Sequence, residues 1–283
     1  MIEKYKTAFE LLKNGCLEEA RKVFLQIEEI LPDDQTLIEF KPLISQEKFP
    51  FDIIIDDILT IFYHKDQISI EKLETMIKQA NRTLRYLENL NLEKPKLIML
   101  VIDSSINTSY ADYKARTIPK IRINPNIHIG NISHEIAHLS FINANRFIAE
   151  GFSMYVESKL SFSENEKNND QYFLENVVKD MRLELIPFEK LFLEHEERLN
   201  YFSKNFVGYQ KFLSYHQAGS FVNFLIYQYG NEKFFKLSNE ICKFFEINAI
   251  LQKIEEFYGK NIAELEKERS EEHTSELQSR QVI

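Results

Sequence analysis

The spacing of apolar residues along the chain predicts a protein that is mostly helical. Residues 3–14 and 17–30 have the pattern of two amphipathic helices in a hairpin, and residues 70–91 carry apolar side chains at helical intervals. From residue 171 onward the pattern is again helical almost throughout. The strongly apolar stretch 52–63 is also predicted to be a helix.

Two short segments predict strands instead. Residues 97–102 form a continuous apolar run of strand length, which is typical of a central strand. Residues 120–124 alternate apolar and polar positions, as an edge strand or its neighbour does. The polar residues 103–119 between them are predicted to be a loop. The expected class is therefore α+β, with few strands.

Composition narrows the range of functions. The 283 residues are enough for one or two domains with a sizeable core. The net charge is −9 and the pI is near 5.4, and no basic stripe is present to neutralise phosphates, which argues against a nucleic-acid partner. Neither a secretory signal nor an apolar run long enough to cross a membrane is visible, so the expected location is the cytoplasm.

The residues that indicate chemistry begin with an H-E-x-x-H string from His134 to His138. On a helix, residues four apart share a face, so these two imidazoles can bind one ion. A catalytic zinc takes three protein ligands and leaves one position for water, on which Glu135 can act as general base. Glu150, a short distance further along, is the expected third ligand. The alternative is a surface helix with two ordinary histidines and a glutamate.

Residues 146–157 contain the order apolar-x-Glu-Gly-apolar-x-x-Tyr-apolar-Glu, which begins at Ile148. This segment resembles the second metal helix of gluzincins, the metallopeptidases whose third zinc ligand is a glutamate. The similarity is closest to the peptidase MA-like family of small bacterial zincins and covers about residues 95 to 266. It implies a zincin-like fold, mostly helical with a small twisted mixed β-sheet over the metal-binding helix. It also implies bound Zn²⁺, with Glu150 as the third ligand.

The same resemblance extends to residues 215–230, which are similar to the family's next long helix. It implies that Tyr215 donates a hydrogen bond to the oxyanion of the reaction, as a Tyr or His on a later helix does in gluzincins. The alternative is that Tyr215 is one of thirteen tyrosines packing an amphipathic helix. Zincins also hold the substrate chain extended beside an edge strand. Residues 121–124 are the candidate for that edge, unless this strand is paired on both sides.

Other zinc-enzyme signatures disagree with the spacing. The metzincin extension requires a glycine and a histidine where this chain has Phe141 and Ala144. The zinc aminopeptidases of the gluzincin clan carry a longer insert before the third ligand and an upstream Gly-x-Met-Glu-Asn strand, and this sequence has neither. This difference counts against an aminopeptidase. The prediction is a zinc metallopeptidase, with an endopeptidase favoured and an exopeptidase left open.

The chain is predicted to have four segments. Residues 1–36 resemble one tetratricopeptide-like hairpin, which either binds a protein partner or packs on the catalytic body, because a single repeat cannot bury its own core. Residues 37–94 are expected to be a helical part of that body and residues 95–268 the zincin catalytic domain. Residues 269–283 contain a string that a common sequencing adapter would encode, and they are predicted to be an artefactual tail.

Two functions stay open at this point. The first is an active zinc metallopeptidase that hydrolyses peptide bonds in a peptide or protein substrate. The second is a non-catalytic zincin-fold protein that binds a partner and whose metal site is structural. Glu135 favours the first, because a structural site has no use for a general base beside its ligand.

Overall fold

The computed structural model of the chain describes residues 1–93, 95–112, 118–126, 130–141, 145–161, 186, 188–192, 210–244 and 246–280. The chain divides into two compact units, Met1–Ser140 and Phe141–Ile283. All five described strands lie in the first unit. The class is therefore α+β, mostly helical with a small mixed sheet, as the sequence predicts. The predicted segment boundaries at residues 36, 94 and 268 stay predictions.

The first unit alternates helices with short strands. Its helices are α1 (Ile2–Lys13), α2 (Leu17–Ile30), a 3₁₀-helix (Gln35–Phe40), α3 (Lys41–Ile44), α4 (Ile70–Asn89) and α5 (Gly130–His138). Its strands are β1 (Asp52–Asp56), β2 (Leu59–Tyr63), β3 (Ile98–Ile102), β4 (Tyr110–Asp112) and β5 (Lys120–Ile123). The strand order in the sheet is β1-β2-β3-β5-β4. β2, β3 and β5 run parallel, and β1 and β4 are antiparallel to their neighbours. Every residue of β3 is buried, as expected for a central strand.

The predicted helix over residues 52–63 is wrong. The segment forms the antiparallel hairpin of β1 and β2, in which Asp56 pairs with Leu59. Asp57 in the turn has a φ of 52°, a left-handed conformation that Asp tolerates better than most residues. Four of the five residues of β2 are buried, and a strand buried on both faces is a continuous apolar run. Such a run has no period that separates it from a buried helix.

The prediction that residues 121–124 form the sheet edge is also wrong. β5 pairs with β3 on one side and with β4 on the other. β4 lies within the stretch predicted to be a loop, and Tyr110 pairs there with Arg122. Among the described strands, β4 and β1 are the ends of the sheet. β4 escaped prediction because three residues are too few to show an alternating pattern.

The N-terminal hairpin packs against the sheet of its own unit. Phe24 stacks on Phe40 of the 3₁₀-helix with ring centroids 4.1 Å apart. Phe9 meets Phe62 of β2 edge to face at 5.3 Å. All four rings are fully buried in one core that extends to Met99 and Val101 of β3. The hairpin thus buries its apolar face within this unit, while its likeness to a tetratricopeptide unit and its binding of a partner stay predictions.

The described secondary-structure elements of the second unit are all helices. Its helices are α6 (Arg146–Ser161), α7 (Phe188–Leu191), α8 (Gln210–Tyr229), α9 (Asn231–Ile241), α10 (Ile247–Tyr258) and α11 (Ile262–Arg280). The helical pattern over 171–185 lies outside the described residues. α11 extends into the segment predicted to be a tail, as far as Arg280. Arg269 is buried, and its Nη1 donates to Ser220 Oγ at 2.8 Å. In the described parts of the chain, no helix has both the length and the apolar character needed to cross a membrane.

Candidate metal centre

Helix α5 brings the two histidines of the H-E-x-x-H string together. His134 and His138 are one turn apart, and their Nε2 atoms lie 3.2 Å from each other. The ring planes are inclined by 78° with centroids 4.8 Å apart, so both rings lie on the same side of the helix. His138 is buried and His134 is partly exposed. This is the arrangement that the four-residue spacing predicts.

A buried hydroxyl network attaches α5 to α4 one residue before the first histidine. Ser133 and Thr83 are fully buried, and their hydroxyl oxygens lie 2.8 Å apart. Gln79 Nε2 also donates to Ser133 Oγ at 2.7 Å. The Ser133 hydroxyl thus bonds to two side chains of α4 in a low-dielectric interior, and these bonds favour one rotation of α5 about its axis. No sequence pattern pointed to these residues.

Helix α6 begins one turn before Glu150 because Asn145 caps it. The Asn145 side chain accepts a hydrogen bond from the Phe147 backbone N–H at 3.0 Å, which satisfies one of the unpaired N–H groups of the first turn. Its Nδ2 donates to the Phe192 carbonyl oxygen at 3.4 Å. Glu150 lies in the second turn and is 8% exposed, so a carboxylate is held in a largely apolar helix. A buried carboxylate needs a partner, since an unpaired buried charge is costly.

The three predicted ligands form a group that could hold a metal ion. One nitrogen each from His134 and His138 and one carboxylate oxygen from Glu150 all lie within 4.8 Å of one another. Two imidazoles and a carboxylate are the donor set of a catalytic zinc site that retains a position for water. The residues present therefore fit a zinc ion. Glu135, between the histidines in sequence, is 8% exposed and lies on the same helix.

Arg146 links Glu150 to Tyr215 within the second unit. Its Nε lies 3.3 Å from Glu150 Oε1, and its Nη2 donates to the Tyr215 hydroxyl oxygen at 3.4 Å. Burial lowers the pKa of Arg146, but Tyr215 and Glu150 outweigh this effect, so its pKa lies above the usual value. The guanidinium therefore stays charged. Sequence reasoning missed Arg146, although its position four residues before Glu150 was available as a signal.

Tyr215 and its neighbour His216 have different environments on α8. Tyr215 is partly buried and contacts Arg146, as described above. Burial lowers the pKa of His216, an effect that the nearby carboxylate of Glu157 opposes. His216 is therefore mainly neutral at pH 7. Through Arg146, Tyr215 is connected to the start of α6, which carries Glu150.

Gly151 allows α8 to approach α6 closely. A Cβ at this position would lie 2.6 Å from the Ala218 carbonyl oxygen and 2.7 Å from Val222 Cγ2. Gln217, on the same part of α8, is fully buried and bonds to both the backbone N–H and the carbonyl of Ile186, at 3.0 and 2.8 Å. The close helix contact brings the Tyr215 turn of α8 beside the start of α6.

Comparison with known proteins gives a likeness in fold only. No known protein-family model and no curated protein matches the sequence. A crystal structure of a mutant M1 zinc metallopeptidase from Deinococcus radiodurans is 14% identical, with a TM-score of 0.46 over 75% of this chain and 47% of that one. A mutant two-domain M1 zinc metallopeptidase bound to L-arginine is 14% identical, with a TM-score of 0.48 over 78% and 51%.

A third structure, the Deinococcus radiodurans mutant bound to a Tyr-Ser-Ala substrate, is 16% identical, with a TM-score of 0.50. The similar region covers 78% of this chain and 51% of that chain. This chain therefore spans about half the length of the metallopeptidases that it resembles. At this identity the likeness concerns the arrangement of helices and strands alone.

Proposed function

We propose that this chain is a zinc metallopeptidase with a zincin-like fold, which hydrolyses peptide bonds. The observation that carries the proposal is the meeting of His134, His138 and Glu150, with ligand atoms within 4.8 Å of one another, on helices that also hold a buried Glu135. The fold likeness to an M1 zinc metallopeptidase, at a TM-score of 0.50, supports it.

The donor set assigns the roles. His134, His138 and Glu150 would hold the zinc, which supplies a Lewis acid that polarises the scissile carbonyl and lowers the pKa of a bound water toward 7. The Glu135 carboxylate takes a proton from the attacking water and passes it to the leaving nitrogen. Its low exposure keeps bulk water away from that proton.

Tyr215 supplies the remaining donor. Its hydroxyl donates a hydrogen bond to the carbonyl oxygen of the substrate as negative charge develops there. The substrate backbone would pair as an added strand with β4, which lies next to β5 at the end of the described sheet. Both β4 and β5 contact α5, so an extended chain along this edge would pass near the histidine helix.

The proposal is tested with the variant Glu135→Gln. Glutamine keeps the shape of the side chain but cannot accept a proton, so hydrolysis of casein or a fluorogenic peptide should fall by about 10²- to 10⁴-fold. Zinc content, measured on the purified protein, should stay at the wild-type level because Glu135 is not a ligand. Glu232→Gln, in an exposed part of α9, is the control and should retain wild-type activity.

The alternative function, a partner-binding protein with a structural metal, makes the opposite prediction. In that case wild-type protein binds zinc but cleaves no peptide, and Glu135→Gln changes nothing. If wild-type protein retains no zinc at all, or if Glu150→Ala leaves zinc binding unchanged, the proposed ligand set is wrong.

A further inference from the structure

Arg146 contacts both Glu150 and Tyr215. It is four residues before Glu150 on α6, so the two side chains lie on the same helical face. One edge of its guanidinium, through Nε, reaches Glu150 Oε1 at 3.3 Å. A second nitrogen, Nη2, reaches the Tyr215 hydroxyl of α8 at 3.4 Å.

We infer that Arg146 is a positioning residue that couples the third metal ligand to the hydrogen-bond donor for the oxyanion. This inference rests on the proposed function. A planar guanidinium presents its N–H groups in a fixed fork, so holding one acceptor fixes the direction of the other. Arg146 therefore restrains both the rotation of the Glu150 carboxylate and the position of the Tyr215 ring.

The two contacts have different chemical consequences. A hydrogen bond from Arg146 to one oxygen of Glu150 orients the carboxylate, as outer partners of metal ligands commonly do. A hydrogen bond from Arg146 to the phenol oxygen of Tyr215 occupies an acceptor position and polarises the O–H bond, which makes Tyr215 a stronger donor. Arg146 thus acts on metal affinity through Glu150 and on the rate of the chemical step through Tyr215.

The local structure explains why this coupling exists. Asn145 caps α6 immediately before Arg146, which fixes the direction in which the first helical side chain leaves the backbone. Gly151 has no Cβ, so α8 can approach α6 until the Ala218 backbone lies against this glycine. Both features bring the Arg146 and Tyr215 side chains within reach of each other. The side chain of Arg146 is 44% exposed, so replacing it need not disturb a core.

The test compares Arg146→Met with Lys236→Met. Methionine keeps most of the length and apolar stem of arginine but makes neither contact. We expect zinc affinity, measured by competition with a chromogenic chelator, to weaken about tenfold. We also expect kcat to fall about 10- to 100-fold, with little change in KM. Lys236, in the exposed pair with Glu232 on α9, is the matched control and should change neither quantity.

A double-mutant cycle separates the two contacts. In a Tyr215→Phe background, Arg146→Met should cause no further loss of kcat, because the group through which it acts is gone. The loss of zinc affinity should persist in that background, since it acts through Glu150. Arg146→Lys keeps the charge but not the fork, so its kcat should resemble that of Arg146→Met.

The outcomes that overturn the inference are distinct from those that overturn the peptidase proposal. If Arg146→Met binds zinc as tightly as the wild type, or more tightly, then Arg146 does not support zinc binding through Glu150, whether or not the protein is a peptidase. Losses of kcat that multiply in the double mutant show that Arg146 does not act through Tyr215. If Arg146→Met raises KM without changing kcat, and only for peptides with a free terminal carboxylate, then Arg146 is a substrate-binding residue instead.

Discussion

Gly151 directly follows the carboxylate that completes the candidate zinc site, and the two residues meet different requirements. Glu150 provides an oxygen ligand, whereas Gly151 has no side chain and so leaves room for α8. With Ala218 and Val222 of α8 less than 3 Å from where a Cβ would be, no other residue fits without moving a helix. The Glu-Gly pair is therefore a local sequence signal for a metal ligand on a closely packed helix.

The variant Gly151→Ala tests this explanation. In an ordinary helix interior this substitution stabilises by about 1 kcal/mol, because alanine restricts the unfolded chain and favours the helix. Here the added methyl meets a backbone carbonyl that cannot rotate away, so we expect a loss of about 1 to 3 kcal/mol in the free energy of unfolding. Urea unfolding followed by circular dichroism measures it. A variant as stable as wild type, or more so, would show that α8 moves freely away from α6.

At the scale of elements, a buried ion cluster ties the 3₁₀-helix to β5. Glu39 accepts from Arg122 Nη2 at 2.5 and 2.6 Å, and its Oε1 lies 3.2 Å from Lys120 Nζ. The Lys120 and Glu39 side chains are each 4% exposed. Arg122 also contacts Asp103, which follows β3. The segment after the N-terminal hairpin is thus attached to the strand that precedes the histidine helix.

Glu39→Gln should destabilise the first unit strongly. It leaves the buried cation of Lys120 without its main counter-charge, and removing one partner of a buried pair costs about 3 to 5 kcal/mol. Thermal and urea unfolding give the value. The exposed pair of Glu232 and Lys236 is the control, since breaking it with Lys236→Met should not change stability measurably. Equal effects of the two variants would mean that burial does not strengthen the Glu39 cluster.

For the whole molecule, the candidate zinc site links metal binding to stability. An ion that binds the folded chain and not the unfolded one raises the free energy of unfolding by about 2.7 kcal/mol at a free concentration of 100 times Kd. We therefore expect Tm to rise on addition of zinc to protein stripped with a chelator, and to fall again when the chelator returns. Differential scanning calorimetry measures both.

His138→Ala provides the control for this linkage. The variant lacks one of the two imidazoles of α5, so its Tm should not depend on zinc at concentrations that stabilise the wild type. An equal rise in Tm for wild type and variant would place the zinc elsewhere on the chain, and the candidate centre would lose its support.

Sequence alone determined the parts of this protein that depend on short-range spacing. The helix ranges of α1, α2 and α4, the buried strand β3 and the pairing of His134 with His138 all follow from residues within one element. Helical periodicity repeats every few residues, so a single stretch contains enough information to reveal it. The choice of Glu150 and Tyr215 came from a resemblance to known metal helices, and Glu150 and the two histidines form a group that could hold a metal ion.

Tertiary structure decided what depends on residues far apart in the chain. The hairpin at 52–63 and the interior position of β5 follow from which strands pair, and the apolar pattern of a buried segment does not specify its partners. The link from Arg146 to Tyr215 spans 69 residues, and the contact of Ser133 with Thr83 spans 50. Such contacts form only when helices dock, because no local interaction selects one distant side chain over another.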